Sequence, residues 1–203
     1  MAHARKQPMT AARGDKDDES GKVAERLLKS RTILLSSEVS PTTARKIIEQ
    51  ILVLEADDPE KPITLLVNSP GGEVHSGFAI YDVIRFVRPR VRIVCVGLTA
   101  SIATVILLAA TREDRLALPN ARLLIHQPLF QGEVFGPASD LEITAQEILK
   151  TKRRINELIA EETGRPLDKV EKDTERDYWL SADEAQKYGL VARVITERAE
   201  IER

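Results

Sequence analysis

The sequence predicts an α/β domain with a mainly parallel sheet and right-handed crossovers. Three observations carry this. Strand-like and helix-like segments alternate about three times between Thr32 and His126. Residues 63–68 form a continuous apolar strand, the pattern of a parallel sheet covered on both faces. Residues 91–111 carry no charge between Arg92 and Arg112; the run starts β-branched, breaks at Gly97, and continues as Ala, Leu, Ile and Thr. It reads as a buried strand (91–96), a Gly turn and a buried helix starting near Ser101. Its length approaches the ~20 residues of a membrane span, but Gly, Ser and several Thr interrupt it.

The elements follow in order. Residues 1–22 are polar and mixed in charge, without the apolar run of a secretory signal, and are expected to be a disordered tail. A short amphipathic helix is expected at 23–29 and a strand at 32–35. Ser40 and Pro41 supply a hydroxyl cap and a first-turn proline for a helix reaching about Glu55. Its Ala44, Ile47, Ile48, Ile51 and Leu52 recur at helical spacing. Asp57, Asp58 and Pro59 turn the chain into strand 63–68. A helix at 76–86 ends before Arg88-Pro89. Short strands at 115–118 and 121–126 flank the Pro119-Asn120 turn. Residues 127–139 read as irregular or extended. Asp140 opens a long helix to about Glu162, striped with Leu141, Thr144, Ala145, Ile148, Leu149, Ile155, Leu158 and Ile159; Gly164-Arg165-Pro166 stops it. A helix at 167–173, an extended piece at 179–181, a helix at 182–188 and a strand at 191–196 complete the chain. No internal repeat is visible.

The chain has 203 residues, enough for one domain with a sizeable core. A net charge of −2 offers no electrostatic argument for nucleic acid, and aromatic residues at 4 % are too few for a base-stacking platform. The single cysteine, Cys95, rules out an intramolecular disulfide and suits a reducing, cytoplasmic setting. In its apolar run it reads as a small hydrophobe rather than a nucleophile. No His/Cys cluster has metal-ligand spacing. No phosphate-loop motif occurs, so this chain is not expected to hydrolyse ATP by itself.

One hydroxyl, that of Ser101, falls at a strand-to-helix junction. Unpaired backbone N–H groups and the helix dipole favour negative charge there, as a serine nucleophile stabilising an oxyanion requires. Taken alone, Ser101 is more commonly a small residue where a helix packs on a sheet. Gly71-Gly72 likewise reads as a tight turn or as a place where a ligand backbone approaches. His3 falls in the tail, and His75 reads as a surface or capping residue. His126 ends a strand, and the carboxyl ends of strands are where α/β sites form. If the strands before Gly72, Ser101 and His126 are neighbours, a serine, an imidazole and an amide-rich turn converge. Asp140, Asp173, Asp177 and Asp183 are candidates for a carboxylate orienting the imidazole, and spacing does not choose among them.

Four stretches, in order, resemble motifs of the Clp protease proteolytic subunit, ClpP, of peptidase family S14. Asn68-Ser69-Pro70-Gly71-Gly72 resembles its glycine motif, Gly97-Leu98-Thr99-Ala100-Ser101 its nucleophile motif, and Leu124-Ile125-His126-Gln127-Pro128 its histidine motif. Residues 173–182 resemble its acidic motif, and the resemblance covers about residues 26–196. It implies a ClpP/crotonase-like fold of repeated β-β-α units with a mainly parallel sheet and a protruding helix-and-strand handle. On that basis residues 23–197 form the peptidase domain, with the handle at about 127–163, between the 1–22 tail and a 198–203 C-terminal tail.

Carried over by position, the resemblance implies Ser101 as nucleophile, His126 as general base and Asp177 as triad acid. The Gly72 and Ile102 amides match the oxyanion hole. Arg176 matches a residue linking site alignment to ring–ring contact, and Leu66, Phe86 and Leu116 fall in the ATPase-docking cleft. The substrate backbone would add as a strand beside the segments after Gly72 and at 131–134. The implied assembly is two heptameric rings stacked as a tetradecamer. An AAA+ Clp ATPase of the ClpX, ClpA or ClpC type would feed it unfolded proteins, and a paralogous subunit could share the rings. No metal, cofactor, nucleic acid or membrane is implied; ATP would be used by the partner.

The sequence departs from the family pattern in three places. Residues 1–22 lack the usual axial-loop pattern. The segment 129–139 is longer than the common form and contains Phe135 and Pro137. Thr64 and Leu66 stand where docking-cleft tyrosines are frequent. Two other function classes are weighed beside the peptidase: a partly silent structural subunit of a mixed ring, and an acyl-CoA enzyme of the related crotonase fold.

Overall fold

A computed structural model describes residues 14–129 and 135–202. The chain runs α1 (Gly14–Lys29), β1 (Thr32–Leu35), α2 (Pro41–Asp57), β2 (Ile63–Ser69), α3 (Val74–Phe86), β3 (Val91–Ala100) and α4 (Ile102–Leu107). It continues β4 (Arg115–Ala117), β5 (Arg122–Ile125), α5 (Ala138–Thr163), α6 (Leu167–Thr174), β6 (Tyr178–Ser181), α7 (Ala182–Tyr188) and β7 (Arg193–Val194). The expected α/β class and mainly parallel sheet are found. The strands order β1-β2-β3-β4-β7, all parallel, while β5 pairs with β3 and with antiparallel β6. The Ser40 cap is formed, its side chain accepting from the Thr43 N–H.

Strand β3 does not end at Gly97. It runs on to Ala100, and Gly97 (φ 67°) bends it. The register with β2 slips there, and the side-chain oxygen of Asn68 accepts from the Leu98 N–H at 3.0 Å. A Cβ on Gly97 would stand 2.8 Å from that oxygen. The first half of β3 (Ile93–Cys95) therefore pairs with β4, and the second half (Leu98–Ala100) with β5. Gly usually punctuates, but inside a strand it also marks a bulge. The helix after Ser101 is correspondingly short, ending at Leu107, although residues 108–110 remain buried.

The expectation of a sheet covered on both faces is corrected. Ile63, Leu65, Val67, Ile93 and Cys95 point into the main core with the helices. Leu66, Val94 and Val96 belong to a second, smaller cluster with Leu116, Leu118, Ile195 and Ile201. That face opens on a groove of about 600 Å³. This second face mixes Thr64 and Arg92 with Leu66, Val94 and Val96, and helices cover only the other face. Ile201 comes from a turn of 3₁₀ helix (Arg198–Glu202), so residues expected to be a C-terminal tail pack on the sheet.

At the other end, α1 begins at Gly14 rather than near Val23, so residues 14–22 are helical rather than disordered. Polar composition does not forbid a helix when charges alternate in sign; Lys29 and Glu25 pair at 2.7 Å one turn apart. Residues 1–13, including His3, lie outside the described residues. Helix α5 emerges along its first half and is buried from Ile155 onward, through Leu158 and Ile159. Part of its expected stripe thus faces outward: Leu141 and Leu149 are exposed, with Ile143 beside them.

Arg115 on β4 is fully buried and ties these layers together. It donates to the Ala110, Leu108 and Glu162 carbonyls at 2.8, 3.2 and 3.1 Å, and its guanidinium pairs with the Glu162 carboxylate, which also holds Arg85. Removing Arg115 strips a donor from three carbonyls and leaves the Glu162 carboxylate with Arg85 alone. Arg115→Leu is therefore expected to lower the free energy of unfolding by about 3–5 kcal/mol in a denaturant titration.

Candidate active site

Strand register builds the site. In the β3–β5 pair Ala100 lies beside Leu124, so Ser101 leaves β3 next to the end of β5 at Ile125. In the antiparallel β5–β6 pair Ile125 faces Tyr178, so His126 and Asp177 are the next opposed positions. The side chains meet as that register requires. Ser101 Oγ lies 2.8 Å from His126 Nε2, and His126 Nδ1 lies 2.9 Å from Asp177 Oδ1. A carboxylate only accepts, so Nδ1 carries the proton and Nε2 accepts from the serine hydroxyl. The histidine is shielded, its side chain 12 % exposed, while Asp177 is 61 % exposed.

Of the four candidate aspartates only Asp177 reaches the imidazole. Asp173 accepts from the Tyr188 hydroxyl and pairs with Lys169. Asp140 and Asp183 sit in the first turns of α5 and α7. His75 is exposed on α3. Burial pushes the Cys95 thiol up to about 12, which leaves it protonated and inert.

Ser101 has φ 57° and ψ −127°, a region in which a non-glycine residue carries strain of ~1–3 kcal/mol. Its neighbours hold it there. The Ser101 N–H donates to Leu124 O at 2.9 Å. The buried Thr104 hydroxyl sits 3.1 Å from Thr99 O and 3.0 Å from Leu124 O, stitching α4 to both strands.

Gly71 and Gly72 form the facing wall. A Cβ on Gly71 would fall 2.7 Å from Ala100 O, and one on Gly72 2.2 Å from Val39 O. Both have positive φ. The Val39 N–H donates to Gly71 O and the Val39 carbonyl accepts from the Glu73 N–H, which leaves the Gly72 N–H outside that ladder. Ile102 begins α4, where first-turn N–H groups have no helical acceptor. Gly72, Ser101, His126 and Leu129 line a groove of about 500 Å³, and Ile102 directly follows Ser101 in the chain. A tight apolar pocket lined by Val74, Ile102, Val105, Ile125 and Ile159 opens beside it.

The loop carrying Asp177 is gripped from α5. Lys152 pairs with Glu175 at 2.8 Å, holding that carboxyl below its usual range, and buried Asn156 accepts from the Thr174 hydroxyl at 2.9 Å. Gln127 N–H donates to Thr174 O at 2.7 Å, so the same loop braces the residue after His126. Arg176 is exposed beside Asp177. Of the expected docking-cleft residues, Leu66 lines the open groove on the sheet and Leu116 is buried beneath it. Phe86 is 81 % exposed at the end of α3 and does not line that groove. The expected substrate segment at 131–134 lies outside the described residues.

Sequence reading missed Thr104, Asn156 and Gly77. A Cβ on Gly77 would stand 2.1 Å from the Ile102 side chain, so α3 can approach α4 only with glycine there. An isolated Gly inside a helical pattern was the available signal.

Chemically, the arrangement suits acyl transfer through serine: a hydroxyl backed by an imidazole, with two amides beside it. Fold and site together define a serine hydrolase architecture. A family model described as Clp protease matches residues 15–198. The chain belongs to the Clp protease family, a family of serine peptidases. No group of three or more potential metal ligands occurs among the described residues, and no described helix is long and apolar enough to cross a membrane.

Thr104→Val keeps the shape of the buried side chain and removes both hydroxyl bonds. It is expected to cost ~1–3 kcal/mol of stability and to lower kcat more than it raises KM, read from thermal unfolding and steady-state kinetics.

Proposed function

We propose that this chain is the proteolytic subunit of an ATP-dependent Clp protease, a serine endopeptidase that cuts unfolded polypeptides into short peptides inside a double-ring chamber. The observation that carries the reading is the Ser101–His126–Asp177 chain of hydrogen bonds, at 2.8 and 2.9 Å, in a Clp protease family member. His126 takes the Ser101 proton as Oγ attacks a peptide carbonyl. Asp177 orients the imidazole and stabilises the imidazolium. The Gly72 and Ile102 N–H groups bind the oxyanion, each donor contributing ~3 kcal/mol to lowering the barrier. His126 then protonates the leaving amine, and water resolves the acyl-enzyme by the same route. No cofactor takes part.

Assembly is supported by apolar side chains left uncovered on one chain. Ile143 and Leu149 on the outer half of α5 are 59 % and 64 % exposed, and Phe135 just before it 85 %. Copies of the chain meeting through this arm would cover them, with Arg176 near the same junction as the ring–ring link. The open groove holding Leu66 would receive an apolar segment of the AAA+ ATPase. The exposed Phe86 can join that contact only if a neighbouring copy brings it beside the groove. A mixed ring with a paralogous subunit stays compatible with these surfaces, whereas the intact site argues against a silent subunit. Cytoplasmic work on unfolded proteins is the setting that this reading implies.

Ser101→Ala should abolish hydrolysis of a fluorogenic peptide and labelling by a serine-directed phosphonate; labelling that survives the substitution would sink the assignment. Leu149→Glu should shift the solution mass from the double ring to a smaller species, with the circular dichroism of the subunit unchanged. An unaltered mass would exclude the α5 arm from assembly.

A further inference from the structure

The groove beside Ser101 carries an uneven charge. On the Gly72 side its charged side chains are Glu38 and Glu73, and no lysine or arginine lines it among the described residues. The Glu38 stem packs against Gly72: its Cγ lies 2.9 Å from where a Gly72 Cβ would stand. Glu73 is the next residue in the chain, accepts from the Ser76 hydroxyl and stands at the N-terminal end of α3, where the helix dipole favours an anion. Neither carboxylate pairs with a cation among the described residues, and both residues are exposed to the groove. Across His126 the charges are balanced differently: Glu175 is neutralised by Lys152, and Arg176 stands beside Asp177. Residues 130–134, which adjoin Leu129 in sequence, contain no Lys or Arg and one acid, Glu133.

We infer that Glu38 and Glu73 are specificity-determining residues: they select substrates with a lysine or arginine close to the scissile bond and disfavour aspartate or glutamate there. The inference rests on the peptidase reading above. An extended substrate advances ~3.3 Å per residue, so side chains within about three residues of the bond cut at Ser101 pass these carboxylates. The small pocket beside the serine is lined mostly by apolar side chains and holds no carboxylate, lysine or arginine. Charge therefore discriminates at the flanking positions, where the backbone is held as an added strand and alternate side chains face the wall. Like charges brought together carry a cost, so selection arises from rejecting acidic substrates as much as from attracting basic ones.

The test uses the full chain and two peptide series, each with leucine at the cleaved bond. The series differ only by Lys or Glu at one flanking position, scanned in turn. At one or more positions kcat/KM for Lys should exceed that for Glu about fivefold. The ratio should fall as ionic strength rises. It should collapse toward one in Glu38→Gln combined with Glu73→Gln. Reading the ratio makes the result insensitive to loss of folded enzyme. Should the double variant not fold, the salt series on the unaltered chain decides. Hydrolysis with a ratio near one at every position overturns the charge inference alone, as does a ratio that survives the double substitution. Absence of both hydrolysis and Ser101 labelling overturns the peptidase reading and this inference with it.

Discussion

Strand β3 has to serve two neighbours that do not lie in line. Its first half pairs with β4 and its second with β5, and the bend at Gly97 makes both possible. The Asn68 side chain occupies the space opened by the bend and satisfies the Leu98 N–H that the register slip leaves unpaired. A straight β3 would continue along β4 and carry Ser101 away from β5. With the bend, Ser101 arrives beside the end of β5, and the β5–β6 register delivers His126 opposite Asp177. Three side chains far apart in sequence thus meet through backbone pairing, with little demand on flexible loops.

The strain at Ser101 follows from the same geometry. Leaving β3 and entering α4 within one residue requires a positive φ, and the surrounding hydrogen bonds outweigh its cost. Thr104 and Leu124 O form the nearest restraint, Gly71 and Gly77 allow the neighbouring segments to close in, and Arg115 anchors the far end of the buried α4 segment to α5. Helix α5 in turn holds the Asp177 loop through Lys152 and Asn156. The outward half of α5 and the grip on the acid are one helix.

Much of this was legible in the chain. Ser40-Pro41 announced α2, the apolar runs announced β2 and β3, and Ser101 and His126 stood out because each follows a strand. Spacing did not single out the acid, which only the resemblance to the acidic motif assigned to Asp177. Asp173 and Asp177 are four residues apart, and only the β5–β6 register separates the residue bonded to Tyr188 from the one bonded to His126. Gly97 was misread as a terminator because glycine punctuates more often than it bends. The open second face of the sheet was signalled only by the resemblance that placed Leu66 and Leu116 in a cleft, because the apolar run by itself does not say whether helices or a groove lie over it.

The sequence by itself determined the kind and order of the elements, the buried character of the β3–α4 run and the presence of a serine, a histidine and two glycines at strand ends. These are local properties: periodicity, caps and composition act over a turn or a strand. Only the tertiary structure brought Asp177, to which the family resemblance had pointed, against His126, and decided where β3 bends and how the Ser101 backbone is held. Those outcomes depend on hydrogen-bond register and close packing between segments distant in sequence, such as Leu98 against Asn68 and Gly77 against Ile102, whose pairing no local pattern encodes.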